Sequence, residues 1–249
     1  MLKNYSPMSS ALRIVLALLA CGIALPAMAG VTTPPTIPSR ITAEYDVYKD
    51  SIKGATIVET FTYSNGSYRI ESVSKAAGII SLLKPETITV VSRGKLTAQG
   101  LQPQSYTLAR KLDTDRNVRA ALDWDKQRVT LHDSNGERTQ PLPADTQDRL
   151  SAMYQFMFLP LQKASTLDFH MTNGNKVDIY NYLLTSGPSV TVPLGTFKTT
   201  YAASVSKSGE TRTEIWLATE RLNFPCKMVI TNPDGGKLTQ VLTRFDVKP

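Results

Sequence analysis

The stretch Asp145–Leu161, DTQDRLSAMYQFMFLPL, carries the strongest helical pattern beyond the first thirty residues. Its apolar residues recur at i, i+3, i+4, i+7 and i+11, the spacing that places side chains on one face of a helix. These residues are Leu150, Met153, Tyr154, Met157 and Leu161. Asp145 or Thr146 can cap the first free N–H groups, and Pro160 ends the helix. The pattern therefore predicts one amphipathic helix over this stretch.

The apolar surface of this helix is wider than a single stripe. Phe156 and Phe158 lie off the main face, so we expect the helix to be covered on most sides. Asp148 falls in the first predicted turn, where a carboxylate suits the helix dipole. Two interpretations stay open: the helix fills the core, or it lines a cavity for an apolar ligand with adaptable methionine side chains.

The sequence on both sides of this helix alternates in short strand-like segments. Ile41–Tyr48 places apolar residues at every second position, and Asn65-Gly66 and Asn173-Gly174 are strong hairpin signals. About a dozen such segments follow one another with short connections and no crossover helix. This predicts a mainly β protein: a single antiparallel, strongly curved sheet or incomplete β-barrel, with the helix packed on its concave side.

One apolar segment fits neither pattern. Gly78–Leu83, GIISLL, is too short for a typical helix and does not alternate, and Lys84-Pro85 ends it. It is either an apolar loop at the mouth of a barrel or a buried turn, and the buried turn is favoured.

The first 29 residues have the features of an export signal. Lys3 and Arg13 form a positive flank, Ile14–Leu25 is an apolar run too short to span a bilayer, and an A-x-A site ends at Ala29. We expect cleavage there, a proline-rich tether over 30–40 and a single domain over 41–249, located in the periplasm. The alternative is a lipoprotein anchored at Cys21, whose surroundings match a lipidation site poorly.

Charge and cysteine content limit the possible partners. The net charge is +7, and the two basic residues of the leader account for two of these charges, which leaves +5. The basic residues are scattered among acids, so nucleic-acid binding is not expected, although weak attraction to anionic lipid or acidic glycan remains open. No later segment reaches the length of a transmembrane helix. Cys226 would be the lone cysteine after cleavage and is expected to be a small buried residue.

Four segments carry a family resemblance. They are Thr213–Ala218 (TEIWLA) with Pro225, Tyr68–Ser72 (YRIES), Gln147–Ser151 (QDRLS) with Tyr154-Gln155, and Val192–Phe197 (VPLGTF). Together they resemble an exported bacterial family known only as domain of unknown function 3108, over roughly residues 41–245. That resemblance implies a cell-envelope location and no assigned activity. The strand pair around Trp216 also looks like that of periplasmic lipoprotein carriers, whose half-barrels hold acyl chains under a helical lid.

The sequence offers little for catalysis. His132 and His170 are isolated, and no zinc, serine-hydrolase, phosphate-loop or dinucleotide motif is present. A cation or carboxylate-pair site could be formed by Asp113, Asp115, Asp123 and Asp125, but they fall at two turns, where aspartate is expected for its side-chain hydrogen bonds. We therefore predict no enzyme, metal or cofactor.

The leading hypothesis is a binding or carrier protein for an apolar or amphipathic envelope molecule, such as a lipid or an acylated protein. The predicted wall residues are Ile79, Leu82, Met153, Met157, Phe158 and Trp216. One alternative is an envelope assembly factor that binds proteins or glycans through its rim. A more remote one is a glycan hydrolase with a carboxylate pair. Oligomeric state is left open.

Overall fold

The computed structural model of the chain describes residues 37–207 and 209–249. The predicted signal peptide, the lipidation alternative at Cys21 and most of the predicted tether lie outside these residues. Strands and two helices make up most of the described chain. The strands are Arg40–Lys49 (β1), Ile52–Ser64 (β2), Ser67–Ala76 (β3), Thr87–Thr97 (β4), Gly100–Arg110 (β5), Val118–Asp123 (β6), Arg128–Asp133 (β7), Gly136–Pro141 (β8), Gln147–Asp148 (β9), Thr166–Thr172 (β10), Val177–Ser186 (β11), Val190–Val192 (β12), Gly195–Phe197 (β13), Thr199–Ser204 (β14), Arg212–Ala218 (β15), Phe224–Thr231 (β16) and Lys237–Lys248 (β17), and the helices are Gly78–Leu83 (α1) and Ser151–Gln155 (α2).

Fifteen of the strands form one continuous sheet. Its order is β8-β7-β6-β5-β4-β3-β2-β1-β17-β16-β15-β14-β11-β10-β9, and β12 and β13 form a separate hairpin. The prediction of a mainly β, strongly curved and incompletely closed sheet is confirmed. Two details were wrong: the sheet has fifteen strands rather than about a dozen, and it is mixed, because β9 pairs with β10 in parallel.

The predicted alternation and hairpins hold in detail. Ile41, Ala43, Tyr45 and Val47 of β1 are all buried, while the residues between them are partly exposed. The predicted Asn65-Gly66 turn joins β2 to β3, with Ser64 opposite Ser67. Positive φ angles of 50° at Asn65 and 76° at Gly66 explain why this dipeptide is used there.

The predicted helix over Asp145–Leu161 is much shorter than its pattern suggested. Its first residues form β9, whose Gln147 and Asp148 pair with Met171 and Thr172 of β10. The α-helix α2 spans Ser151–Gln155, and 3₁₀ turns follow at Phe156–Phe158 and Leu161–Lys163. The prediction that Asp145 or Thr146 caps the helix was therefore wrong. Pairing with a strand distant in sequence overrode the local helical pattern.

The GIISLL segment also differs from expectation. It forms the short helix α1, and Ile79, Leu82 and Leu83 are exposed, so the favoured buried turn was wrong. Within the described residues, no helix has the length and apolar character needed to cross a bilayer.

The α2 segment packs against two hydrophobic clusters. Leu150 and Tyr154 belong to the larger cluster with β1–β7 and β17. Phe156 and Leu161 belong to a second cluster with Tyr182, Leu184, Ala202, Ile215 and Leu217 of β11, β14 and β15. Met153 packs against both clusters. The expectation that this segment is covered on most sides is confirmed.

The turn between β10 and β11 packs against the opposite half of the sheet. Gly174 is buried with φ +91°, and a Cβ atom there would lie 2.8 Å from the Cβ of Val118 in β6. Arg138 of β8 donates a hydrogen bond to the carbonyl of Asn175 in the same turn. This turn therefore connects the two halves across the open side of the sheet.

We predict that Gly174→Ala lowers the free energy of unfolding by about 3 kcal/mol, because the new side chain meets a positive φ angle and Val118 together. Gly136→Ala is the matched control, since Gly136 has φ +101° but open space around its Cβ position. Its expected loss is about 1 kcal/mol, from backbone strain alone. Urea unfolding measures both values, and equal losses would show that the turn does not pack against β6.

Candidate functional site

The main candidate site is a groove beside α2, which we call the concave groove. It has a volume of about 710 Å³ and lies on the face of β10, β11, β14, β15 and β16 that also packs α2. Its apolar lining includes Met153, Met171, Met228, Tyr180, Tyr182 and Ile230. Three methionines and two tyrosines provide a wall that adapts to a flexible apolar ligand.

A second cavity, the arginine recess, adjoins the groove. It has a volume of about 560 Å³, and it is lined by four arginines and two aspartates: Arg110, Arg116, Arg138, Arg149, Asp115 and Asp133. Arg138 pairs with Asp133 at 2.9 Å, and Arg116 lies 3.4 Å from Asp113. Arg149 and Arg110 form no ion pair with any residue that the structure describes. Arg149 and Asn173 line both the recess and the groove, so the two cavities are neighbours.

The arginine recess also contains unsatisfied polar atoms. The hydroxyl of Tyr106 is buried and has no hydrogen-bond partner among the described residues, and neither does Nε of Arg110. Burial raises the pKa of Tyr106 well above its ordinary value, an effect that the nearby Arg149 partly offsets. Tyr106 therefore stays a neutral hydroxyl. Buried polar atoms normally have partners, so these two are the unsatisfied donors in the lining of the recess.

A buried carboxyl group lies close to the floor of the concave groove. Glu59 of β2 accepts hydrogen bonds from Ser72 Oγ at 3.2 Å and from Tyr154 Oη at 3.3 Å. Burial raises the pKa of Glu59 to about 7. A void of about 20 Å³ touches Glu59 and shares Met153 and Met228 with the groove. A carboxyl group whose pKa is raised to about 7 therefore lies beside the groove, outside its lining.

A second buried carboxyl, Asp148, has a structural role. Its Oδ1 accepts the backbone N–H groups of Leu150 at 2.9 Å and Ser151 at 2.8 Å, and Ser92 Oγ donates to its Oδ2 at 2.5 Å. Burial raises its pKa to about 6. Asp148 therefore binds the first free N–H groups of α2 from β9, which replaces the cap that the sequence predicted at Asp145 or Thr146.

The six predicted wall residues do not come together. Met153 lines the concave groove. Met157, Phe158 and Trp216 are half-buried and pack against the larger cluster, and Lys227 Nζ lies 4.9 Å from the centre of the Trp216 ring. Ile79 and Leu82 are exposed on α1. Their roles in binding stay predictions.

Cys226 is buried in the core, as expected from sequence. Its thiol donates to the Trp216 carbonyl at 3.3 Å, and burial raises its pKa to about 11. It is therefore a protonated core residue.

Sequence reasoning missed Glu59, Arg149 and Tyr106. A signal for Glu59 was present, because it shares strand parity with Ile57 and Phe61, both apolar. A charged residue at an apolar position of a strand indicates a buried carboxyl. The arginine recess had no comparable sequence signal. Its arginines come from β5, from β8, from the connection between β9 and α2, and from the Thr114–Arg116 turn.

We predict that Glu59 makes stability depend on pH. Between about pH 4.5 and 7 the folded chain keeps a proton on Glu59 that the unfolded chain releases, so stability falls as pH rises. The slope is at most about 1.4 kcal/mol per pH unit. Glu59→Gln removes the slope between about pH 6 and 7, as measured by urea unfolding in a series of buffers.

Asp148→Asn is the control, since the pKa of Asp148 is raised only to about 6, so its loss changes the slope mainly below pH 6 and much less between pH 6 and 7. An unaltered slope between pH 6 and 7 in Glu59→Gln would contradict the assignment.

Comparisons with known proteins identify the family and the fold. No curated protein matches the chain. A crystal structure of a beta-barrel-like protein of the domain of unknown function DUF1849, from Brucella abortus, is similar with a TM-score of 0.55 at 12% identity. The similarity covers 85% of this chain and 99% of that chain, and it supports the fold alone. The model of the family described as "Protein of unknown function (DUF3108)" matches residues 44–243. The chain therefore belongs to the DUF3108 family.

Proposed function

We propose that this protein is a non-catalytic binding or carrier protein for an amphipathic molecule of the cell envelope, such as a lipid or the acyl group of a protein, and that it acts in the periplasm. The apolar part of the ligand occupies the concave groove, and an anionic group lies in the arginine recess. The observation that carries this proposal is that the two cavities are neighbours, with Arg149 and Asn173 in the lining of both.

The concave groove has the properties that an apolar ligand requires. Its volume of about 710 Å³ falls within the range of roughly 300–1,000 Å³ typical of small-molecule sites. Met153, Met171 and Met228 approach it from α2, β10 and β16, so its wall can adjust to chains of different length. The aromatic rings of Tyr180 and Tyr182 add rigid apolar surface.

The arginine recess has the properties that an anionic group requires. Arginine donates in a planar fork that matches carboxylate and phosphate oxygens. Arg149 is exposed, and none of the described acidic residues pairs with it. The unpartnered Tyr106 hydroxyl and Arg110 Nε supply two further donors. A carboxylate or a phosphate would satisfy all three groups.

We predict that filling the concave groove abolishes binding of a fluorescent long-chain fatty acid, used as a probe. Thr213 of β15 lines the groove, so Thr213→Trp replaces a small side chain there with a large one. Thr139→Trp on the exposed edge strand β8 is the matched control. Fluorescence titration should show saturable binding for wild type and control, and loss for Thr213→Trp. Equal affinity in all three proteins would exclude the groove as the site.

A second measurement tests for the natural ligand. Native mass spectrometry of protein purified from its own host is expected to show a bound mass that Thr213→Trp lacks. A clean ligand-free mass in repeated preparations would count against a carrier role.

We also predict that Arg149→Gln weakens binding of the fatty-acid probe about ten-fold, the effect of losing one charge-assisted hydrogen bond. Binding of the matching fatty alcohol, which has no charge, should not change. Arg119→Gln, which removes an exposed arginine of β6 outside the recess, is the control. Equal losses for acid and alcohol would show that Arg149 affects the groove only through its shape.

A further inference from the structure

Several large apolar side chains protrude from one end of the sheet. Leu82 is 83% exposed, Leu83 79%, Ile79 63%, Ile52 63% and Leu112 53%. An exposed apolar residue is ordinary when isolated, but a group of them indicates an interaction surface. We call these five residues the apolar rim.

The apolar rim is contiguous, because its residues come from adjacent connections. In the register of the sheet, Lys49 pairs with Ile52, Lys75 with Thr87, and Ile88 with Arg110. The start of β2, the α1 connection and the end of β5 therefore lie at the same end of neighbouring strands. Hydrogen bonds join them: Ala77 N donates to the Gly54 carbonyl at 2.9 Å, and Leu112 N donates to Glu86 at 3.1 Å.

Lysines surround the apolar rim. Lys49, Lys53, Lys75, Lys84 and Lys111 lie within four residues of a rim residue along the chain or across a strand pair, and four of the five are exposed.

Three of the nearby acidic groups are engaged by the fold, Asp113 beside Leu112 lies 3.4 Å from Arg116, and Asp115 forms no ion pair with a described residue. Asp46 pairs with Lys53 at 2.7 Å, Asp50 accepts the backbone N–H of Lys237 at 2.9 Å, and Glu86 accepts those of Lys111 and Leu112 at 3.1 Å. Arg110 and Arg116 also lie within four residues of Leu112, so the basic residues around the apolar side chains outnumber the acidic ones.

We propose that the apolar rim docks on an anionic lipid bilayer, with the leucine and isoleucine side chains inserted among the acyl chains and the lysines at the headgroups. Lysine is depleted at protein–protein interfaces, whereas lysines beside apolar side chains suit a negatively charged membrane surface. Their long alkyl stems also let lysines extend from the apolar layer to the headgroups. Charge complementarity therefore favours lipid over a protein partner.

The rim lies near the proposed ligand site. Arg110, which lines the arginine recess, directly precedes Lys111 and Leu112. Docking would bring the recess close to the membrane surface, where an amphipathic ligand could enter or leave. The docking itself does not require that the groove binds a ligand, so the two proposals can fail separately.

Vesicle co-sedimentation of the full mature chain tests the docking. We expect binding to vesicles of phosphatidylcholine with phosphatidylglycerol, weaker binding to phosphatidylcholine alone, and a decrease with added salt. The double variant Leu82→Ser/Leu83→Ser should bind at least about ten-fold more weakly, because it removes the two most exposed apolar side chains. Leu183→Ser is the matched control, since Leu183 of β11 is 52% exposed and lies outside the rim.

Two outcomes would overturn the proposal. The first is equal vesicle binding by the wild type and the rim variant, or no vesicle binding by either. The second is concentration-dependent dimerisation in light scattering that the rim variant loses, which would assign the surface to a second copy of the chain. Titration of the rim variant with the fluorescent fatty acid separates the two proposals, since its affinity for that probe should equal that of the wild type.

Discussion

The side chain of Tyr154 is the contact on which the curvature of this protein depends. Its ring lies 5.6 Å from that of Phe61 in β2 and 5.2 Å from that of Phe224 in β16, and its hydroxyl donates to Glu59. A curved sheet is stable only if its concave face is filled, because an empty face would leave apolar side chains in water. One ring from α2 thus joins strands that lie more than 150 residues apart in sequence.

The same arrangement explains why a groove exists. The α2 helix has only five residues, and the chain turns away through 3₁₀ segments, so it fills the face of β1–β7 but only part of the face of β10–β16. Phe156 and Leu161 cover Ile215 and Leu217, whereas Ile230 and Tyr180 are covered less completely. A longer helix, as the sequence pattern predicted, would have left less space there.

The parts of the fold that the sequence predicted are those set by local chemistry. The alternation of apolar and polar residues predicts β1, and the Asn-Gly dipeptides predict two turns. Both signals depend only on a few adjacent residues. The errors come from contacts distant in sequence. Gln147 and Asp148 look helical but pair with β10, and the arginine recess gathers residues from separate elements. Glu59 is intermediate: its strand position indicated burial, but its partner Tyr154 could not be read from pattern alone.

The two buried carboxyls show how structural and functional candidates differ. Removing a carboxylate from water is costly unless hydrogen bonds compensate. Asp148 accepts three such bonds, two of them from the backbone of Leu150 and Ser151 where α2 begins, so its burial is explained by the start of that helix. Glu59 accepts two longer bonds and adjoins a void beside the groove floor. The cost of burying Glu59 is therefore less fully compensated by hydrogen bonds. The buried hydroxyl of Tyr106 and Nε of Arg110 have no hydrogen-bond partner among the described residues. Buried polar atoms without partners are few in a folded protein, and each needs a physical explanation. Tyr106 and Arg110 lie in the lining of one cavity, and Glu59 lies beside the neighbouring one, whereas Asp148 is explained by the fold itself.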